Sequence, residues 1–206
     1  MNYLLNYWPL VLARLGEHIG LAGAALLLSA LIALPLGWLL DRRPRLAAPV
    51  LGVLGVLYTV PSIAMIILMI PFLGLNARAV IAALVLYCQV ILVRNVLAGL
   101  GGISPAVLEA ARGMGMNRCE MAWKVQLPLA LPVMLAGLRV AAVVAVAIAT
   151  IGARFGAGGL GVLLFEGIAQ AGRMDKIWIG SLGVALLALA LNQGILAVER
   201  RMAYPR

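Results

Sequence analysis

Apolar residues run through this chain in long blocks, without the alternation or narrow stripes of a soluble domain. Five blocks reach the ~20 residues that a helix needs to cross a bilayer. They cover about residues 19–40, 47–72, 77–98, 128–150 and 177–198. A crossing segment must satisfy its backbone internally, and blocks of this length do so as helices. The pattern therefore predicts an all-α integral membrane fold, with about five spans in a single transmembrane domain over residues 1–206. Between the third and fourth blocks, residues 104–127 turn polar, charged and glycine-punctuated before the apolar pattern resumes.

Composition supports a membrane protein. Apolar residues make up 65% of the 206 and charged residues 11%, against roughly half and a quarter in soluble domains. One small domain cannot hide that much apolar surface from water. The first residues, MNYLLNYWPLVLAR, carry neither a basic start nor a small-residue cleavage site, so no cleavable signal is expected. Tyr3, Tyr7 and Trp8 suit either a helix at the lipid–water boundary or a frayed terminus. Cys88 and Cys119 belong to segments of different depth, so neither a disulfide nor a metal site is expected. The lone His18 has no Cys or acidic cluster around it and reads as a plain interfacial residue.

The net charge of +9 does not point to nucleic acid, because the basic residues sit at the ends of apolar blocks. Flanking charge of this kind orients a membrane protein. Ten basic residues fall on one side: Arg42, Arg43, Arg45, Arg94, Arg112, Arg118, Lys124, Arg200, Arg201 and Arg206. Five fall on the other: Arg14, Arg78, Arg154, Arg173 and Lys176. The bias predicts an outside amino terminus, a cytoplasmic carboxyl terminus, and segment 104–127 in the cytoplasm.

Helix punctuation is legible inside that segment. Ser104 before Pro105 reads as an N-cap with proline at the first helical position. Gly113 and Gly115 stop that helix. Asn117 with Glu120 three positions on reads as a capping box opening a second helix. Pro128 is expected to end or kink it. Two short helices joined by a glycine turn should thus lie in water or on a partner at the membrane surface.

Several chemistries are excluded. The chain contains no P-loop, so it does not hydrolyse nucleotide by such a motif. None of the acids Glu17, Asp41, Glu109, Glu120, Glu166, Asp175 and Glu199 lies within the five blocks. A proton-driven pump needs a buried carboxylate or histidine relay. The absence of a Ser/His/Asp grouping or a carboxylate pair at depth argues against a membrane enzyme. Gly156, Gly158 and Gly161 match G-x-G-x-x-G, but a dinucleotide site needs that motif after a strand. These glycines, with Gly159, either permit a tight bend after the fourth block or line the outer mouth of a pathway.

Glu109, Ala110 and Ala111, then Gly115, then Val125, Leu127 and Pro128, match at full spacing the EAA signature of binding-protein-dependent ABC transporter permeases, with Val125 where isoleucine is usual. TVPS at Thr59–Ser62, ARGMGM at Ala111–Met116, KVQLPLALPVMLAGLR at Lys124–Arg139 and GAGGLG at Gly156–Gly161 are similar to the osmoprotectant branch of that family, the permeases for glycine betaine, choline and carnitine. The resemblance covers roughly residues 19–200. Arg154 departs from it, since that branch has a small or apolar residue there.

The resemblance implies a type I importer permease, a transport subunit and not an enzyme. Its partners would be cytoplasmic ABC ATPases, a second permease copy or a related permease, an extracytoplasmic substrate-binding protein and membrane lipid. The chain itself would bind no cofactor; ATP and Mg would sit on the partner ATPase. Glu109 would contact the ATPase, Gly115 would allow the tight turn, and Pro128 would fix the exit into the fourth span. The signature leaves open another small solute such as an amino acid, a channel or scaffold without an ATPase, and an export permease. Trp8, Trp38, Trp123 and Trp178 are spread along the chain and form no evident cage for a quaternary amine, so substrate choice would rest with the binding protein.

Two arginines and one proline complete the reading. Arg94, near the end of the third block, can snorkel to the interface. Arg139 lies ~16 Å into the fourth block, where exposure to lipid costs several kcal/mol. It is expected to face a vestibule or a cluster of carbonyls. Pro61, beside Ser62 in the middle of the second block, is expected to bend a pathway-lining helix.

Overall fold

A computed structural model describes residues 2–202. The described residues contain helices and their connections only: α1 (Asn2–Arg42), α2 (Pro44–Thr59), α3 (Ser62–Leu73), α4 (Ala77–Gly101), α5 (Pro105–Gly113), α6 (Arg118–Met121), α7 (Leu127–Gly152), α8 (Gly161–Ala169) and α9 (Met174–Met202). Four segments are long and apolar enough to cross a membrane, and the bent pair α2–α3 makes up to five. Arg206, one of the ten basic residues on the predicted inner side, lies outside the described residues.

The α4 helix is the axis of the bundle. Its residues Val80, Ala83, Leu84, Cys88 and Val93 are fully buried in the main core, with Ala22, Ala25 and Ala33 of α1 and Ala141, Ala145 and Ala149 of α7. Small residues let these backbones approach closely, which is how membrane helices gain packing energy without a hydrophobic drive between them. At Gly99 a side chain would come within 2.9 Å of the Ala130 carbonyl oxygen, so α4 and α7 touch there through bare backbone.

The start of α1, the end of α3, the 153–160 loop and α8 gather at one end of the bundle. The end of α1, the end of α4, α5, α6 and the end of α9 gather at the other. Below these are called the loop end and the segment end.

Pro61 does bend the second block, as expected, and two local expectations are corrected, at Pro128 and at Gly113. The second block is two helices bent by 99°, with Val60 and Pro61 extended between them (ψ 129° and 137°). The break frees backbone groups, and the Tyr87 hydroxyl of α4 donates to the Val60 carbonyl. Pro128 does not end a helix. It follows a π-helical stretch, Ala122–Gln126, that joins α6 to α7 without interruption. The wider π turn accommodates a residue with no N–H and a ring that would clash in a tight turn. Ser104 is the N-cap of α5 with Pro105 at the first helical position, as expected, though its side chain makes no cap bond. Gly113 is helical, leaving Gly115 alone to stop α5.

The amino-terminal stretch is helical from Asn2 and meets the rest of α1 across a kink at Tyr7 (φ −128°, ψ 25°). Tyr3 is buried against Leu160 and Leu163, whereas Tyr7 and Trp8 are exposed. The short α8, not foreseen from the sequence, packs on the start of α9. A side chain at Gly180 would come within 3.0 Å of the Leu164 backbone nitrogen.

Candidate functional site

The signature residues assemble at the segment end. In α5, Glu109 and Ala110 are exposed while Ala111 is buried. The chain leaves α5 through a Schellman turn. The Gly115 N–H donates to the Arg112 carbonyl at 2.9 Å and the Met116 N–H to the Ala111 carbonyl at 3.2 Å. Gly115 has φ +78°, the left-handed conformation this motif requires and glycine adopts without strain. The capping box then opens α6. Asn117 Oδ1 accepts the N–H of Cys119 at 3.0 Å and of Glu120 at 2.9 Å, and Glu120 Oε2 accepts the Asn117 N–H at 3.0 Å.

Leu108, one residue before Glu109, packs against a cluster of Val96, Leu100, Ile103, Ala130 and Met134, and Leu127 joins the same cluster. The exposed acid of α5 is therefore rooted, through its neighbour, between the ends of α4 and α7. Val125, Leu127 and Pro128 are half-buried in the stretch that carries α6 into α7. Arg118–Phe155 is one rod of 38 residues, about 57 Å long at 1.5 Å per residue.

The far end of that rod meets the glycine-rich loop. Gly156, Gly158 and Gly159 all have positive φ, of 75°, 79° and 81°. At Gly161 a Cβ would run into the Thr150 carbonyl, so α8 starts in direct contact with the end of α7. Two adjacent residues of α1 hold this loop. Glu17 Oε2 accepts the Gly159 N–H at 2.7 Å and pairs with Arg14 at 2.9 Å. His18 is fully buried. Its Nδ1 accepts the Leu160 N–H at 3.2 Å, and its Nε2 lies 3.1 Å from the Val146 carbonyl oxygen. The two bonds together fix a neutral ring with the proton on Nε2. His18 thus joins α1, α7 and the loop, which corrects its reading as an interfacial residue. No local pattern marks it; its partners lie 128 and 142 residues away.

Other expected positions are placed as follows. Arg139 reaches Glu199 of α9 at 3.6 Å, a charge contact longer than a hydrogen bond, with both side chains largely buried. Its partner is a carboxylate, not a carbonyl cluster; Glu199 is the residue immediately after the fifth block. Arg94 lines a small cleft with Gly55, Tyr58 and Asn95. Arg154 lies over the Phe165 ring at 5.4 Å. Pro61 lies in the break between α2 and α3, and Ser62 opens α3. Cys88 is buried and Cys119 exposed, both free. Among the described residues no three His, Cys, Asp or Glu gather as a metal site.

Residues 25–204 match the family model described as a binding-protein-dependent transport system inner membrane component. The chain belongs to that family. This permease is 36% identical to the carnitine transport permease protein OpuCB of Listeria monocytogenes, over 98% of this chain and 88% of the relative. It is 32% identical to the glycine betaine/carnitine/choline transport system permease protein OpuCB of Bacillus subtilis, over 100% of this chain and 94% of the relative. Its fold is similar to a chain in the inward-facing MetNI methionine ABC transporter, with a TM-score of 0.86 and 22% identity over 97% of this chain and 99% of that one. The relatives are transport permease subunits, not enzymes, and the permease is accordingly a multi-pass membrane protein.

Proposed function

We propose that this permease forms the translocation pathway of an ATP-driven importer for a small compatible solute, a quaternary amine of the glycine betaine, choline and carnitine class. Relatives whose names carry those solutes match it over nearly its full length. ATP and Mg would reside on cytoplasmic ABC ATPases. A second permease, identical or related, would complete the pathway, and an extracytoplasmic binding protein would deliver the solute. The segment end would face the cytoplasm, as the excess of basic residues there favours.

The observation that carries the mechanism is the rooting of α5. ATPase closure would act on the exposed face bearing Glu109 and Ala110. Leu108 would transmit the displacement to the ends of α4 and α7. Because α6 is continuous with α7, the rod would move as one body and carry the push to the glycine-rich loop at its far end. There Glu17 and His18 tie the loop to α1, so motion of α7 relative to α1 would open or close that mouth.

The test is reconstitution of the permease with its ATPase and binding protein in proteoliposomes. Uptake of labelled glycine betaine, choline or carnitine that requires internal ATP supports the proposal. ATP-independent equilibration of the solute would overturn it.

A further inference from the structure

Two clefts at the segment end adjoin, and their chemistries differ. The first is a groove of about 560 Å³ between α1, α4 and the stretch from α6 into α7. Every side chain lining it is apolar, among them Leu34, Trp38, Val96, Leu127, Met134 and Leu138. It runs along the rod from Ala122 to Leu138, about 24 Å at 1.5 Å per residue. One leaflet of a ~30 Å hydrocarbon core is shorter than that.

The second cleft is lined by Asp41, Arg42, Arg112, Arg118, Met121 and Gln126. Arg42 follows Trp38 by one turn of α1, Met121 immediately precedes Ala122, and Gln126 immediately precedes Leu127 on the rod. The polar cleft therefore lies beside the surface end of the apolar groove, on neighbouring residues of α1 and the rod. It carries three guanidiniums and one carboxylate. Among the described residues none of the three arginines is in an ion pair. At the loop end three of the five basic residues, Arg14, Arg173 and Lys176, have an acidic partner.

We propose that the two clefts together bind one anionic phospholipid of the adjacent leaflet. Its acyl chain lies along Leu34, Val96 and Met134, and its phosphate is held by Arg42, Arg112 and Arg118. The forked guanidinium matches phosphate oxygens, and the net positive cleft favours a headgroup without a compensating amine. The chain of such a lipid would touch Trp38, Val96, Leu127 and Met134, four of the side chains in the cluster where Leu108 is seated. The site does not depend on which solute is carried.

The experiment is native mass spectrometry of the assembled transporter, incubated with phosphatidylglycerol or with phosphatidylcholine of the same chains. One phosphatidylglycerol should be retained per permease, at least tenfold over phosphatidylcholine. Arg42→Gln with Arg118→Gln should lower that retention tenfold or more. Leu34→Trp, which narrows the groove and leaves the arginines alone, should do the same. Millimolar inorganic phosphate should not displace the lipid. Equal retention of the two lipids, retention unchanged in both variants, displacement by phosphate alone, or a disulfide between Leu34→Cys in two permease copies would overturn the proposal.

Discussion

Nδ1 of His18 accepts the Leu160 N–H while Nε2 of the same ring sits 3.1 Å from the Val146 carbonyl oxygen, so one buried side chain ties the first helix to both the rod and the glycine-rich loop. Replacing it with phenylalanine keeps a ring but strands a backbone N–H and loses a bond to a buried carbonyl. Each unsatisfied buried group costs about 1–3 kcal/mol. His18→Phe should lower the unfolding temperature of the purified permease by several degrees, and His18→Gln, which can still hydrogen-bond, should lower it less. Equal melting of both variants and the wild type would remove the tie.

The loop itself is sensitive to side chains. Gly159 has φ +81°, and a Cβ there would lie 2.9 Å from His18 Nδ1. Gly159→Ala adds about 1–2 kcal/mol of backbone strain on top of that clash. Uptake should fall severalfold while ATPase binding to the permease is unchanged, as pull-down and transport assays on one preparation would show. Gly113→Ala, at a helical position with open space around it, should be silent in both assays.

Arg139 and Glu199 offer a double-mutant cycle. Removing either partner leaves a half-buried charge in an apolar surrounding. Arg139→Met and Glu199→Met should each destabilise by about 1–3 kcal/mol, and the double variant should cost less than their sum. Strict additivity in thermal unfolding would mean the 3.6 Å contact carries no coupling.

The bend between α2 and α3 should relax without its external support. Tyr87→Phe removes the hydroxyl that donates to the Val60 carbonyl, a bond worth about 0.5–1.5 kcal/mol. Spin labels on α2 and α3 should then report a broader distance distribution. An unchanged distribution would place the cause of the bend in Pro61 alone.

What the sequence disclosed, and what it hid, follows from range. Spans are legible because membrane crossing sets a length, and the five blocks correspond to α1, the α2–α3 pair, α4, α7 and α9. The Asn117–Glu120 box and the Gly115 stop are legible because capping is written within a few residues. Proline was ambiguous: Pro61 separates two helices, whereas Pro128 sits in an unbroken rod, and only the π turn distinguishes them. His18, Glu17 and Glu199 stayed hidden because their partners lie 60 to 142 residues away, and no periodicity reports a contact of that separation. The role of the EAA residues came from resemblance, since exposure of Glu109 on a capped helix is equally the property of any solvated surface.

The central claim is that α5 takes the push of an ATPase through the face carrying Glu109. The most direct measurement is the number of solute molecules imported per ATP hydrolysed by the reconstituted transporter with Glu109→Lys. The account predicts that this ratio collapses, through loss of ATPase docking or through hydrolysis without transport, while the isolated permease melts at the wild-type temperature. A Glu109→Lys transporter that assembles and imports at the wild-type ratio would contradict it.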